Sequence, residues 1–208
     1  MSAPEAIPNP LSVVPDATEP NALQAEELVW RNEPRVWRPT ASGLEMSVEP
    51  ETDFWRKTHY GFVRDNGHFA GTRVRGDFDL AAFLRGQLRD QYDQLGLMVR
   101  IDEKHWLKCG LEHIDGENLV SVVLTRDYSD WSLRPLSFPA KSGWQGIKVS
   151  RRGPDIEVSV LTPRGGATPF RVGRLGSAHE VSAGVTAAAP KGQGFTAEFS
   201  ELTLKEIG

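Results

Sequence analysis

The chain has 208 residues, 39% of them hydrophobic and 25% charged. That balance, with no apolar run near the roughly 18 residues of a membrane span, excludes a fibrous, disordered or helix-spanning membrane protein and suits one globular domain. A net charge of −4 speaks against the basic stripe of a nucleic-acid binder, so neither nucleic acid nor membrane is expected as a partner.

Residues 1–26 carry Pro4, Pro8, Pro10, Pro15 and Pro20, a density through which no helix persists. They are expected to form an extended, proline-rich N-terminal segment, with a short helical turn at 22–28 capped by Asn21. The first residues, Met1-Ser2-Ala3-Pro4-Glu5, show no basic region followed by an apolar stretch, which makes a cytoplasmic address the expectation. Residues 27–208 are the body, read as a single domain.

From Leu28 onward the signals are strands and turns. Gly43 to Pro50 alternates apolar with polar residues, and so do Ile147 to Ser150 and Ile156 to Val160 around the turn Gly153-Pro154-Asp155. Phe195 to Phe199 and Leu202 to Leu204 end the chain in the same way. Many short alternating segments divided by Gly, Pro and Asp define an all-β, antiparallel β-sandwich. One stretch conflicts: Leu80-Ala81-Ala82-Phe83-Leu84-Arg85 has strong helix formers. Gly86 weakens a helix there, and we read Phe78–Leu84 as a strand, with at most a helical turn over 87–92.

The centre of the chain can be read residue by residue. Leu95, Leu97, Val99 and Ile101 alternate with Gly96, Met98, Arg100 and Asp102; Leu107, Cys109 and Leu111 alternate with Trp106, Lys108, Gly110 and Glu112. Asp115-Gly116 is the dipeptide preferred in a two-residue hairpin turn. Pairing Ile114 with Glu117 sets Leu111 against Val120, Cys109 against Val122 and Leu107 against Leu124. A slip of one residue would break all three apolar pairs. Leu97, Val99, Leu107, Cys109, Leu111, Val120, Val122 and Leu124 are therefore expected as core. Arg100, Trp106, Lys108 and Glu112 share the opposite face, around Gly96 and Gly110, where missing side chains would let a ligand approach.

Several strings resemble a family of β-sandwich proteins described as regulation-of-enolase-like and concanavalin A-like. They are Thr52-Asp53-Phe54-Trp55-Arg56, Thr58-His59-Tyr60-Gly61-Phe62, Arg64-Asp65-Asn66-Gly67-His68, Tyr92 to Arg100, Trp106 to Glu112, Leu119 to Val123, and Ser129-Asp130-Trp131-Ser132. They run in order over roughly residues 28–206. The resemblance implies a jelly-roll (concanavalin A-like) sandwich of the lectin and glucanase type, with two antiparallel sheets, one of them concave. It implies no particular reaction.

Each candidate chemistry has a plainer competitor. Glucanases of this fold flank the scissile bond with two carboxylates. The nearest string here, Glu112-His113-Ile114-Asp115-Gly116-Glu117, has the wrong spacing, and its Asp-Gly is a turn. The histidines are scattered without ligand spacing, so no metal site and no cofactor are assigned. Cys109 has no neighbouring base and reads as a small core residue. The best signal is the combination of aromatic and polar side chains. Sugar rings pack flat C–H faces on indole and phenol while polar side chains satisfy their hydroxyls. The candidate ligand site is Arg100, Trp106, Lys108 and Glu112, with His59, Tyr60, His68, Asp93 and Gln94 at its rim and Trp55 and Trp131 among its aromatic residues. The competing account is a salt-bridge network beneath a covering loop. Three functional readings stand: a module binding a carbohydrate or sugar-like, even anionic, ligand; an enzyme acting on a sugar or sugar phosphate with Glu112 or Asp93 as acid or base; and a regulatory module that binds another protein.

Overall fold

The computed structural model describes residues 20–136, 143–162 and 165–207. Among these residues the strands form two large sheets and one small hairpin. The first sheet runs, edge to edge, through β15 (Ala167–Arg174), β14 (Asp155–Leu161), β13 (Gln145–Arg152), β8 (Asp77–Gly86), β17 (Phe195–Ile207), β4 (Gly43–Val48) and β3 (Trp37–Thr40). A two-residue strand, β1 (Asn21–Ala22), adds to β17. The second sheet runs through β12 (Tyr128–Pro135), β11 (Glu117–Arg126), β10 (His105–Ile114), β9 (Gln94–Arg100), β16 (Glu180–Ala188), β7 (His68–Arg75) and β2 (Val29–Arg31). The hairpin is β5 (Phe54–Arg56) with β6 (Val63–Asp65).

All pairings in both sheets are antiparallel, and the sheets stack face to face as a jelly-roll sandwich. The expected register holds: Leu111 opposes Val120, Cys109 opposes Val122 and Leu107 opposes Leu124. Asp115 (φ 50°) and Gly116 (φ 89°) make the turn, both in the left-handed region that a type I′ turn requires. The eight expected core residues all lie in one buried cluster between the sheets. Cys109 is among them, 3% exposed, and burial pushes its thiol well above the ordinary range.

The helix formers of residues 80–84 lie in a central strand. Phe78, Leu80, Ala82 and Leu84 point into the core and are at most 1% exposed, so the period is 2. β8 is flanked by β13 and β17, and two hydrogen-bonded ladders with a buried apolar face override a helix preference of a few tenths of a kcal/mol per residue. The 87–92 stretch carries no helix. Near the start, a single 3₁₀ turn spans Ala25–Glu27 with Gln24, not Asn21, at its cap position and no side-chain cap. Asn21 instead pairs with Leu204, and Ala25 and Leu28 are buried in the core. The sandwich therefore takes in residues 21–26; the extended reading of residues 1–19 lies outside the described residues. No described helix is long and apolar enough to cross a membrane.

A pocket between the covering hairpin and the sheet

The face of β9, β10 and β11 turned away from the core carries a second, aromatic cluster. Phe54, Trp55, Phe69, Met98, Trp106 and Val123 pack there, with Trp131 at its margin. The hairpin β5–β6 supplies two of these residues and lies over the sheet like a flap. Its base is closed by Asp53, whose N–H donates to Asn66 Oδ1 (3.1 Å) and whose carbonyl accepts from Asn66 and Gly67. One side is pinned by Arg100, which donates through both guanidinium nitrogens to Asp65 (2.8 and 2.9 Å). The other is pinned by Ser129 Oγ, which accepts from Arg56 N–H (2.9 Å).

This cover decides which expected site residues are available. Trp106 is 1% exposed and meets Phe54 edge-on at 6.1 Å, so it is core under the hairpin and offers no surface to a ligand. Arg100 is 6% exposed and engaged by Asp65. His68 is also misplaced by the sequence reading. It is 2% exposed, pairs with Ala187, accepts from Glu49 N–H at Nε2 (3.1 Å) and meets the Asn32 carbonyl at Nδ1 (2.6 Å). Those partners make Nδ1 the protonated nitrogen and fix the ring as a structural brace. Asp93, fully buried, accepts at Oδ2 from the N–H groups of Arg89 (3.1 Å) and Asp90 (3.0 Å), stapling the turn before β9. It is not placed to act as acid or base. His59 is exposed, in the left-handed region (φ 63°), and touches Tyr60 edge-on at 4.8 Å without lining a cavity.

The glycines also have a different role from the one expected. Gly96 and Gly110 face each other across β9 and β10. A Cβ on Gly96 would fall 1.9 Å from the Cys109 carbonyl oxygen, and one on Gly110 would fall 2.1 Å from that of Leu95. The strands approach too closely for any side chain, so backbone packing requires both glycines.

The remaining six expected residues do converge. Trp55, Tyr60, Gln94, Lys108, Glu112 and Trp131 line a pocket of about 230 Å³ beside the hairpin. Asp53, Tyr92 and Val123 complete its interior, and Phe62, Pro190 and Lys191 its mouth. The walls are aromatic: Trp55 meets Tyr60 at 5.6 Å and Trp131 at 6.2 Å, and Trp131 meets Tyr92 at 6.3 Å, all edge-on. The indole N–H groups are already committed, Trp55 to the Thr58 carbonyl (2.9 Å) and Trp131 to Glu112 Oε2 (3.0 Å) and Ser121 Oγ (3.1 Å). A hydrogen bond with Tyr92, helped by burial, raises the Tyr60 hydroxyl above its ordinary value.

The polar floor is held just as firmly. Lys108 Nζ donates to Gln94 Oε1 (2.5 Å) and the Phe54 carbonyl (2.7 Å) and lies 3.4 Å from Asp53 Oδ1. Glu112 is 5% exposed, and burial pushes its carboxyl above the usual carboxylate range, although Lys108 and the donors Ser121 and Trp131 pull the other way. Among the described residues no three His, Cys, Asp or Glu side chains form a metal-holding group. Of the lining residues that sequence reasoning missed, Val123 was legible from its pairing with Lys108. Asp53 and Tyr92 stood inside strings that carry the family resemblance. Pro190 and Lys191 follow β16 and gave no signal.

Fold and pocket together define a concanavalin A-like jelly-roll sandwich with an aromatic-walled, polar-floored pocket on its outer face. The chain belongs to the family described as protein of unknown function (DUF1349), which matches residues 30–207. It is 35% identical over 175 residues to "Regulation of enolase protein 1" of Saccharomyces cerevisiae, covering 84% of this chain and 87% of that one. The crystal structure of a functionally unknown protein from Saccharomyces cerevisiae superposes with a TM-score of 0.83 at 31% identity, over 89% of this chain and all of the other. At the level of fold alone, carbohydrate binding module CBM66 from Bacillus subtilis is similar, with a TM-score of 0.55 at 11% identity over 85% of this chain and 95% of that one.

Proposed function

We propose that the protein is a carbohydrate-binding module whose ligand is one sugar-sized, hydroxyl-rich ring held in this pocket. The observation that carries the reading is the combination of four aromatic walls, their N–H groups already satisfied, with a floor of Gln94, Lys108 and Glu112. Such walls offer apolar ring surface, while carboxylates at the floor offer acceptors for hydroxyls at fixed positions. The volume lies below the roughly 300–1,000 Å³ of pockets for drug-sized ligands, which suits a single ring rather than a chain lying along the sheet. The similarity in fold to a carbohydrate binding module supports the same reading.

Ligand-observed NMR against a panel of monosaccharides tests it. Tyr60 is 47% exposed, so Tyr60→Ala should fold and lose most of the binding. Retained affinity in Tyr60→Ala and in Trp131→Ala would place any ligand elsewhere.

The second reading, an enzyme, is favoured by one observation: a carboxyl raised by burial at the base of a cavity suits a general acid. Asp93 has no part in it, because it is fully buried outside the pocket lining, with Oδ2 held by the turn. Release of product from aryl glycosides by wild type, abolished in Glu112→Gln, would establish that activity.

A further inference from the structure

The charges around the pocket say more about the ligand than its shape does. Lys108 and Arg100 are the two cations that the sequence places on this face, and both are already engaged by partners of their own. The three hydrogens of Lys108 Nζ are directed to Gln94, Phe54 and Asp53. Arg100 lies under the hairpin, bound through both terminal nitrogens to Asp65. A phosphate or carboxylate entering the pocket would thus find no free buried cation. Lys191, at the mouth, is exposed, and a solvated charge there contributes little.

One of the two carboxylates is in the opposite condition. Asp53 already accepts from Lys108 and from Phe54 N–H (2.8 Å). Glu112 is nine-tenths buried, yet among the described residues its hydrogen-bond donors, Trp131 Nε1 and Ser121 Oγ, are both neutral. No described cation is hydrogen-bonded to it, and burial pushes the Glu112 carboxyl up against the opposing pull of nearby Lys108. Around it stand Trp55, Trp131, Tyr60 and Tyr92, whose rings lie at steep angles to one another. Four aromatic rings lining one cavity, with an acid among them, is the chemistry that recognises alkylammonium groups.

We infer that the ligand carries an amine: the pocket takes an amino sugar, with its ammonium on Glu112 and against the aromatic walls, in preference to the neutral or anionic sugar of the same shape. This inference rests on the carbohydrate-binding reading and narrows it.

The test compares matched ligands on the full chain by ligand-observed NMR titration near neutral pH. The 2-amino-2-deoxy forms of glucose, galactose and mannose are each set beside the parent hexose, the N-acetylated amine and the uronic acid. One hexosamine should bind about tenfold more tightly than its parent. N-acetylation should remove the advantage, and Glu112→Gln should shrink the ratio of amine to parent affinity to about twofold or less, whatever it does to the parent hexose. Should Glu112→Gln fail to melt cooperatively, Asp53→Asn replaces it, with a smaller loss of the same sign. A parent hexose or uronic acid binding as well as the amine would overturn the amine preference and leave the carbohydrate reading standing. An advantage untouched by either substitution would overturn it too. Binding of none of the panel would overturn both.

Discussion

Arg100 and Asp65 form a two-pronged ion pair across the gap between the second sheet and the hairpin that covers it, with Asp65 also reached by Arg31 at 3.1 Å. The arginine side chain is 7% exposed and the aspartate 25%, so the pair sits at the buried margin of the cover. Breaking such a pair from one side leaves a charge stranded, at a cost of about 3–5 kcal/mol when both groups are fully buried. Asp65→Ala should therefore destabilise by somewhat less, about 2–3 kcal/mol. Urea denaturation measures this, and a change below about 0.5 kcal/mol would mean that the hairpin is not held by this contact.

Leu97 is fully buried and opposes both Cys109 and Val185. Leu97→Ala should cost about 2–5 kcal/mol, the range for removing a core leucine. The denaturation midpoint should fall with an unchanged slope, since the loss is one of packing and not of compactness.

Gly96→Ala should be worse than its single methyl suggests. The added carbon meets the Cys109 carbonyl at 1.9 Å, a backbone atom that moves only if β10 moves with it. We expect a loss of at least about 1–3 kcal/mol, as for overpacked cores, read as a lower melting temperature. Gly116→Ala, in the open hairpin turn, should be milder, because its cost is the left-handed backbone (φ 89°) and not a collision.

Glu112 gives stability a pH dependence with a definite sign. Its carboxyl is raised on folding, mainly by burial, from an ordinary value of 4.5. Below that value both folded and unfolded states hold the proton. As pH rises through it, the unfolded chain releases the proton first, and the folded state loses ground until the folded value is passed. Glu112→Gln removes this loss while keeping an acceptor for Trp131. The variant should therefore gain melting temperature relative to wild type as pH rises above about 4.5, and the difference should shrink below it. A difference that is flat from pH 4 to 8 would show that the carboxyl is not shifted.

What could be read from the chain follows what parity and turn chemistry control. The pairing of β10 with β11 followed from Asp115-Gly116 and three apolar pairs, and with it the core between the sheets. The same parity put Arg100, Trp106, Lys108 and Glu112 on one face, which is where they lie. It could not say that residues 53–66 fold back over half of that face. The cover removes Arg100 and Trp106 from contact and leaves Lys108 and Glu112 at the pocket. His68 and Asp93 were misjudged for another reason: His68 through both ring nitrogens, and Asp93 through Oδ2, bond backbone groups of distant or irregular segments. Such bonds leave no periodic trace in a sequence.

The position of Cys109 gives the protein a built-in reporter. It is the only thiol in the chain, it lies between the sheets, and its reactive thiolate form is suppressed by burial. Alkylation can then proceed only through molecules in which the sandwich has opened. Its rate, followed with increasing urea, would separate local opening near β10 from complete unfolding without a label or a substitution. A ligand seated on the far side of the same strand should slow that rate in proportion to its occupancy, so one mass-spectrometric clock can follow both folding and binding.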